Sequence, residues 1–408
     1  MFSQFLGNSK ILYLNDRHEE EDTHKEDRRK LYDKRIFPLL EKDDFTIFAE
    51  KIDSFLWDYY RSLDLAKIKP KNIFYADSYL KYPSLTKAVL ADKNLIQRLK
   101  QEKFHFLMPY IESYDMGKLA GEIGAFLFRS ADFTDWINNK SNYRKVLREL
   151  KLPLIPGYQT NLEKAKRHFK ELKKRGFKKV VLKKERSVSG FSVFVTEKEE
   201  DFDQCLKDNL SEQKSFVLEG FIEDVRYSPN FQYFITENNV EFIVATDQIL
   251  EKDRVSYSGN LYPSFLIKKP AVLKTINEMS EKICGYLQTK RCFGLAGIDY
   301  IVTKQGKVYS TEVNARINGS TFPSLIIEKL FGEDANIHWL FKTFHFKPVS
   351  FENLFNKFKY FIKKRGDFGV LPIGVDLLES MGEGQFMIIS RSSKELYDLC
   401  GKFQTCLK

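Results

Sequence analysis

Oxygen-bearing side chains recur at short spacing near residue 300, in the stretch GLAGIDYIVTKQGKVYSTEVNARINGS. Asp299 ends an apolar run, and Glu312, Asn314 and Arg316 follow at alternate positions. Alternate residues of a strand project from one face, so the last three would project together. Carboxylate and amide oxygens are the hard ligands that Mg²⁺ prefers, and arginine suits phosphate oxygens. The stretch therefore predicts a site for a nucleoside triphosphate and its metal ion.

The alternative is that these polar residues form the ordinary solvated face of a strand. A turn at Gln305-Gly306 separates the two runs, so a hairpin would bring Asp299 to the same side as Glu312. Asp299 also lies within apolar residues that would otherwise be core, where a carboxylate without a partner is costly. We therefore favour the metal site.

A second candidate segment for the nucleotide site is VVLKKERSVSGFSVFV, residues 180–195, which is basic and contains small loop residues. A lysine at the end of a strand can place its ammonium on phosphates, and small loop residues let backbone N–H groups surround the phosphate oxygens. The alternative is a basic hairpin with a Ser/Gly turn. Lys183 and Lys184 would face opposite sides of the strand, and we favour Lys183 as the phosphate lysine.

The segment FVLEGFIED, residues 216–224, is an apolar run interrupted at Glu219-Gly220. Such a strand end can offer backbone N–H and C=O groups to the edge of adenine between apolar side chains. A plain strand end is the alternative explanation, so this segment alone does not predict an adenine site.

Composition excludes several classes of protein. The chain has 408 residues, 43% of them hydrophobic, and a net charge of +10. Acidic residues are interleaved with the basic ones, so we expect no nucleic-acid partner. No apolar run is long enough to cross a membrane, and the five cysteines show no C-x-x-C, so we expect a reduced, cytoplasmic protein without a membrane partner.

The first part of the chain alternates apolar runs with helical patterns, which predicts a parallel-sheet α/β domain. The predicted strands are 11–14, 45–48, 72–75 and 104–107, and the predicted helices are roughly 19–40, 54–63 and 85–99.

Helices and strands also alternate from about residue 141 onward. Helices are predicted at about 141–151, 161–174, 199–206, 271–287 and 351–364, and from 392. Strands are predicted at 179–182, 191–195, 216–219, 369–377 and 385–389.

Taken in order, these elements resemble the ATP-grasp superfamily. The resemblance implies that Lys140, in NNKSNYRKVLRELKLPLIPGY, is the first nucleotide lysine and Lys183 the second. Asp299, Glu312 and Asn314 then correspond to the metal ligands. The remaining implied nucleotide contacts are the phosphate loop with Ser187, Ser189 and Gly190, and the adenine hinge from Glu219 to Ile222.

The resemblance also implies the architecture, an α/β fold of the α+β ATP-grasp type. Residues 1–135 would form a Rossmann-like pre-ATP-grasp domain with a parallel sheet. Residues 136–345 would form a two-lobed ATP-grasp core, with lobes at about 136–222 and 223–345. Residues 346–408 would form a small C-terminal α+β domain.

A narrower resemblance is to the pheganomycin-type peptide ligases. It rests on SPNFQ at 228–232, TDQIL at 246–250 and NARINGSTFP at 314–323. The chain departs from that family where Gly-Gly-Thr-Thr is usual, because it has Asn-Gly-Ser-Thr at 318–321, and its phosphate loop is poor in glycine. These departures affect the expected substrate more than the expected nucleotide.

The resemblance implies a ligase that uses ATP and Mg²⁺, with Mn²⁺ as an alternative, to join a carboxylate to an amine through an acylphosphate. Arg316, Arg226 and Arg254 would act on the acylphosphate or the substrate carboxylate. The substrates would be small-molecule or peptide acids and amines, and a homodimer is an open alternative to a monomer. Two rivals are a carboxylate–thiol ligase and a nucleotide-binding regulatory protein.

Overall fold

The computed structural model describes seven stretches of the chain, residues 6–7, 9–16, 33–76, 79–186, 192–251, 255–332 and 336–405. The strands are β1 Ile11–Leu14, β2 Phe45–Phe48, β3 Ile73–Tyr75, β4 Phe106–Pro109, β5 Gly157–Thr160, β6 Val180–Lys184, β7 Val193–Thr196, β8 Phe216–Gly220, β9 Val225–Tyr227, β10 Pro229–Ile235, β11 Val240–Leu250, β12 Tyr257–Tyr262, β13 Gly294–Thr303, β14 Val308–Asn314, β15 His338–His345, β16 Gly369–Gly374 and β17 Glu383–Ser390.

The α-helices are α1 Ser54–Ser62, α2 Leu85–Ala91, α3 Lys93–Glu102, α4 Tyr114–Ile123, α5 Ala131–Asn138, α6 Lys140–Glu149, α7 Leu162–Lys174, α8 Glu199–Asn209, α9 Pro270–Thr289, α10 Thr321–Phe331, α11 Phe351–Lys357, α12 Leu378–Met381 and α13 Ser393–Thr405. Short 3₁₀ helices lie at Lys34–Leu39, Pro70–Asn72, Tyr79–Lys81 and Phe265–Lys268.

The first sheet is parallel, with strand order β3-β2-β1-β4. Its strands are short apolar runs such as ILYL in β1, all four residues of which are buried. Strands of this kind are typical of a parallel sheet that is covered on both faces. The α/β prediction for this part of the chain is confirmed.

A second, smaller sheet is antiparallel, with strand order β5-β8-β6-β7. Helices α7 and α8 cover one face of it, where Phe169 and Phe202 of the helices belong to the same apolar cluster as Leu218 of β8. This sheet carries Lys183 on β6 and Glu219 on β8, both of which the sequence assigns to a nucleotide site.

The largest sheet follows the order β14-β13-β10-β11-β12-β15-β17-β16 among the described residues, with β9 also paired to β13. The C-terminal strands β16 and β17 therefore extend the sheet that holds Asp299 and Glu312. The C-terminal segment also packs on the N-terminal part of the chain, where the buried Tyr60 hydroxyl donates to the Pro372 carbonyl at 2.9 Å.

Three predicted helices differ from the observed ones. The helix predicted at 85–99 is two helices, because Asp92 accepts a hydrogen bond from the Leu95 N–H and starts α3 as its N-cap. Helix α11 ends at Lys357, since Phe358 is already extended. Of the helix predicted at 19–40, residues 19–32 lie outside the described part, and Lys34–Leu39 is a 3₁₀ helix. In the described part, no helix combines the length and apolarity needed to span a membrane.

Candidate active site

The hairpin of β13 and β14 brings the predicted metal ligands together. Asp299 lies directly opposite Glu312, and Asn314 lies opposite Gly297 on the same pair of strands. The Asn314 amide donates to one Asp299 oxygen at 3.0 Å, and the Asn230 amide, from β10, donates to the other at 2.6 Å. The side chains predicted from alternation therefore do meet at one place.

Asp299 is a buried carboxylate whose ionised form is disfavoured by its surroundings. It is only 9% exposed. Burial raises the pKa of Asp299 to about 6, the nearby Glu312 carboxylate adds to that rise, and the Asn230 amide opposes it. A divalent cation between the two carboxylates would stabilise both in the ionised form. The donor set thus fits a hard metal ion.

The metal site would draw on few carboxylates. The described residues hold no group of three or more His, Cys, Asp or Glu side chains in metal-binding proximity. Two carboxylates and the Asn314 amide are what this chain provides at the hairpin. Mg²⁺ accepts such a sparse set where phosphate oxygens and water complete its shell.

Lys140 reaches this hairpin from the first turn of α6. The preceding Asn139 caps the helix by accepting from the N–H groups of Ser141 and Asn142 at 2.9 and 3.1 Å. The buried Lys140 ammonium lies 3.0 Å from a Glu312 oxygen. A lysine at a helix N-terminus is well placed for an anionic ligand.

Lys183 enters from the opposite sheet and is paired with Glu219. The Lys183 ammonium is 2.6 Å from one Glu219 oxygen, and Arg144 of α6 binds the other. Burial alone would raise the pKa of Glu219, but the Lys183 and Arg144 charges hold it below its ordinary value. Lys183 lines the central cavity, whereas its neighbour Lys184 is not among the cavity-lining residues.

Arg144 is a site residue that the sequence reasoning missed. It is buried, pairs with Glu219 and also donates to the Ile155 carbonyl at 3.1 Å. Its position four residues after Lys140 puts both side chains on one face of α6, which is a signal available in the sequence.

Two backbone N–H groups of the predicted adenine hinge already donate hydrogen bonds within the protein. The N–H groups of Gly220 and Phe221 donate to the Pro156 and Lys179 carbonyls at 2.9 and 3.0 Å. A Cβ at Gly220 would lie 2.3 Å from the Phe177 ring, so this position requires glycine. Ile222, which lines the cavity, remains the hinge position to consider for adenine.

The predicted arginines differ in their settings. Arg316 lies beyond the end of β14 and donates to the Ile317 carbonyl at 3.1 Å and to the Tyr110 hydroxyl at 3.4 Å. Arg226 is exposed on β9 and lines the cavity. The remaining predicted site residues, Ser187, Ser189, Gly190 and Arg254, lie outside the described residues.

A buried network of polar side chains leads to Asp299 through Asn230. This network was not predicted from the sequence. The Gln232 amide donates to the side-chain oxygen of Asn230 at 2.9 Å and accepts from the Thr321 hydroxyl at 2.7 Å. Because Asn230 in turn donates to Asp299, this network fixes the orientation of the carboxylate.

One cavity of about 1010 Å³ connects these groups. Its walls come from the antiparallel sheet of β5–β8, from the largest sheet including β15 and β17, and from Arg35 and Tyr110 in the N-terminal part of the chain. The cavity is large enough for a nucleoside triphosphate and a further substrate.

Residues 137–320 match the family model of the ATP-grasp domain. For these residues, the match confirms the superfamily resemblance found in the sequence. The narrower resemblance to the pheganomycin-type ligases stays a prediction.

A curated relative is the butirosin acyl-carrier protein–L-glutamate ligase of Niallia circulans. The two are 29% identical over 201 residues, which is 47% of this chain and 46% of the relative. The chain thus spans about half the length of this relative.

Several solved structures share the fold. Biotin carboxylase of Campylobacter jejuni has a TM-score of 0.61 at 16% identity, with 96% of this chain and 89% of that chain covered. The MgADP-bound biotin carboxylase domain of Hydrogenobacter thermophilus 2-oxoglutarate carboxylase has a TM-score of 0.59 at 15% identity, with 96% and 88% covered. N5-carboxyaminoimidazole ribonucleotide synthetase of Thermus thermophilus has a TM-score of 0.60 at 12% identity, with 98% of each chain covered. At these identities the likeness concerns the fold.

Proposed function

We propose that this protein is an ATP-dependent ligase that joins a carboxylate to an amine. The observation that carries the proposal is the meeting of Asp299 and Glu312 with Lys140 and Lys183 in one cavity. Two lysines for phosphates and two facing carboxylates for a metal ion are what binding and activating a nucleoside triphosphate requires.

The two lysines would bind the phosphates, and Asp299, Glu312 and Asn314 would hold Mg²⁺. Bound Mg²⁺ would supply neutralisation of the phosphate charge. Ile222 and the apolar cavity wall around it would receive the adenine. The crystallised MgADP complex of the biotin carboxylase domain supports this choice of nucleotide and metal.

The reaction would proceed in two displacements. A substrate carboxylate oxygen attacks the γ-phosphorus, the bond to ADP breaks, and an acylphosphate forms. The amine nitrogen then attacks the carbonyl carbon and loses a proton as inorganic phosphate leaves, which gives the amide. Arg316 and Arg226 would stabilise the acylphosphate by charge, so the steps need positioning more than a dedicated base.

A carboxylate–thiol ligase is the second candidate. The name of the Niallia circulans relative pairs an acyl-carrier protein with L-glutamate, which favours testing a carrier thiol as an acceptor. The nucleotide half of the reaction is the same in both cases, and only the second displacement differs.

The test is ADP formation across a panel of amino acids and short peptides as acids. Hydroxylamine traps any acylphosphate, and amine and thiol acceptors are then compared. We expect ADP only with an accepted acid, and abolition of that signal in Glu312→Gln. Tight MgATP binding without ADP across the whole panel would instead identify a nucleotide-binding regulatory protein.

A further inference from the structure

The part of the cavity wall formed by β15 and β17 contains a buried polar atom without a hydrogen-bond partner among the described residues. Gln385 of β17 is 5% exposed and lines the cavity. Its amide nitrogen approaches the hydroxyl of Thr343, its partner on β15, at 3.4 Å. Its side-chain oxygen has no hydrogen-bond partner in the described part of the chain. A buried carbonyl without a donor is unfavourable, so a ligand N–H group would satisfy it.

This part of the cavity is remote from the nucleotide. In the large sheet, five strand intervals separate β13 from β17. At about 4.8 Å per interval, the strand that carries Gln385 lies about 24 Å from the strand that carries Asp299, measured across the sheet. Nothing in the nucleotide half of the proposed reaction uses Gln385 or its neighbours.

Several polar and charged side chains surround Gln385 in the cavity wall, as expected for a binding surface. Glu383 precedes it at an alternate position, and His345 is the register partner of Glu383 on β15. Both line the cavity, as do Arg35 and Lys342. Residues of opposite strands that face one another share a side of the sheet, so this polar group faces the same cavity as Asp299.

We propose that the acid substrate is elongated, with its carboxylate at Arg316 and an N–H donor, an ammonium or an amide, at the Gln385 side-chain oxygen. The proposal rests on the proposed function, since it names the class of acid that the ligase would take. An extended peptide spans at most about 3.6 Å per residue, so a short peptide is long enough to connect these two parts of the cavity.

The probes that test this are oligoglycines from glycine to hexaglycine, each with a free and an acetylated amino terminus. Their binding is measured by calorimetry in the presence of MgADP. We expect at least one peptide to bind at least tenfold more tightly than glycine. Weaker binding after acetylation would assign the donor as an ammonium, and equal binding would assign it as an amide; both outcomes support the proposal.

Two substitutions isolate the contact. Gln385→Leu removes the acceptor and should weaken the best peptide at least tenfold. Gln385→Glu keeps acceptor oxygens and should bind that peptide within threefold of wild type or more tightly. Ser390→Ala, on the opposite face of β17, is the matched control. Unchanged MgADP affinity and melting temperature would show that each variant is folded.

Three results would overturn the proposal: no peptide binds more tightly than glycine, Gln385→Leu binds as wild type does, or Gln385→Glu weakens binding as much as Gln385→Leu. Failure of the proposed function looks different. In that case Gln385-dependent peptide binding persists while no ADP or hydroxamate forms with any acid.

Discussion

The Lys140 ammonium lies 3.0 Å from the Glu312 carboxylate, although the two residues are 172 positions apart in the chain. The contact joins the first turn of α6 to β14 at the centre of the candidate site. It means that Glu312 is neutralised by a protein cation where we expect a metal ion, and that Lys140 is held where we expect phosphate. Nucleotide and metal binding would therefore exchange this ion pair for two new ones.

The first prediction concerns Glu312. Glu312→Gln removes a metal ligand but leaves Lys140 available to phosphate, so MgADP affinity should fall at least about tenfold. Affinity for ADP in the presence of EDTA should stay within threefold of wild type. Calorimetric titration measures both. Glu241→Gln, an exposed glutamate on β11, is the matched control and should behave as wild type. Equal MgADP affinity in Glu312→Gln and wild type would remove Glu312 from the metal site.

The second prediction separates two adjacent lysines. Lys183 lines the cavity and pairs with Glu219, whereas Lys184 follows it on the strand and points to the other face. Lys183→Met should weaken ATP binding at least about tenfold, because a phosphate loses a charge-assisted contact. Lys184→Met should change it less than threefold. A larger loss in Lys184→Met than in Lys183→Met would reverse the assignment.

The third prediction concerns the stability of the Arg144–Glu219–Lys183 group. Glu219→Gln leaves the buried Arg144 and the partly buried Lys183 without a counter-charge, which should lower the free energy of unfolding by about 3 kcal/mol. Urea denaturation followed by circular dichroism measures the change. Glu212→Gln, an exposed control on the loop before β8, should change it by less than about 0.5 kcal/mol. A loss below about 1 kcal/mol in Glu219→Gln would mean that the cations find other partners.

The fourth prediction is a pH dependence of stability at Asp33. Burial raises the pKa of Asp33 to about 7, opposed by Lys34 and reinforced by Asp376. The folded state then holds a proton that the unfolded state releases near pH 4, so the Asp33 contribution to stability is full below that pH and is lost as pH rises through 7.

Asp33→Asn should remove this dependence while keeping an oxygen that can accept from the Ala49 N–H, as Asp33 does at 2.8 Å. Relative to Asp33→Asn, wild type should lose on the order of 2–3 kcal/mol of stability between pH 5 and pH 8. Urea denaturation at these two pH values compares them. Parallel losses in both proteins would mean that Asp33 is ionised throughout.

The sequence predictions that agree with the structure rest on local sequence patterns. Strand β1 is apolar throughout, and α6 begins after a capping asparagine, so short-range chemistry defines both. The turn at Gly306, which has a φ of +82°, closes the β13–β14 hairpin and sets Asp299 opposite Glu312. Spacing within a single hairpin is enough to predict that pairing.

Long-range pairings were beyond the same reasoning. Arg144 and Glu219 are 75 residues apart, and no local pattern says that they meet. The sequence likewise predicts the strands near 369 and 385 but not that they extend the sheet of Asp299, because strand order depends on packing among distant elements. The sequence therefore does not predict that Gln385 lines the cavity.

In the proposed reaction, a substrate carboxylate attacks the γ-phosphorus of ATP. The most direct test uses an accepted acid labelled with oxygen-18 in its carboxylate, followed by mass spectrometry of the inorganic phosphate released with ADP. We expect one labelled oxygen to move from the acid to each phosphate, because the acylphosphate retains that oxygen on phosphorus when the amine attacks carbon. Phosphate that carries only unlabelled oxygen, released with full product formation, would contradict it.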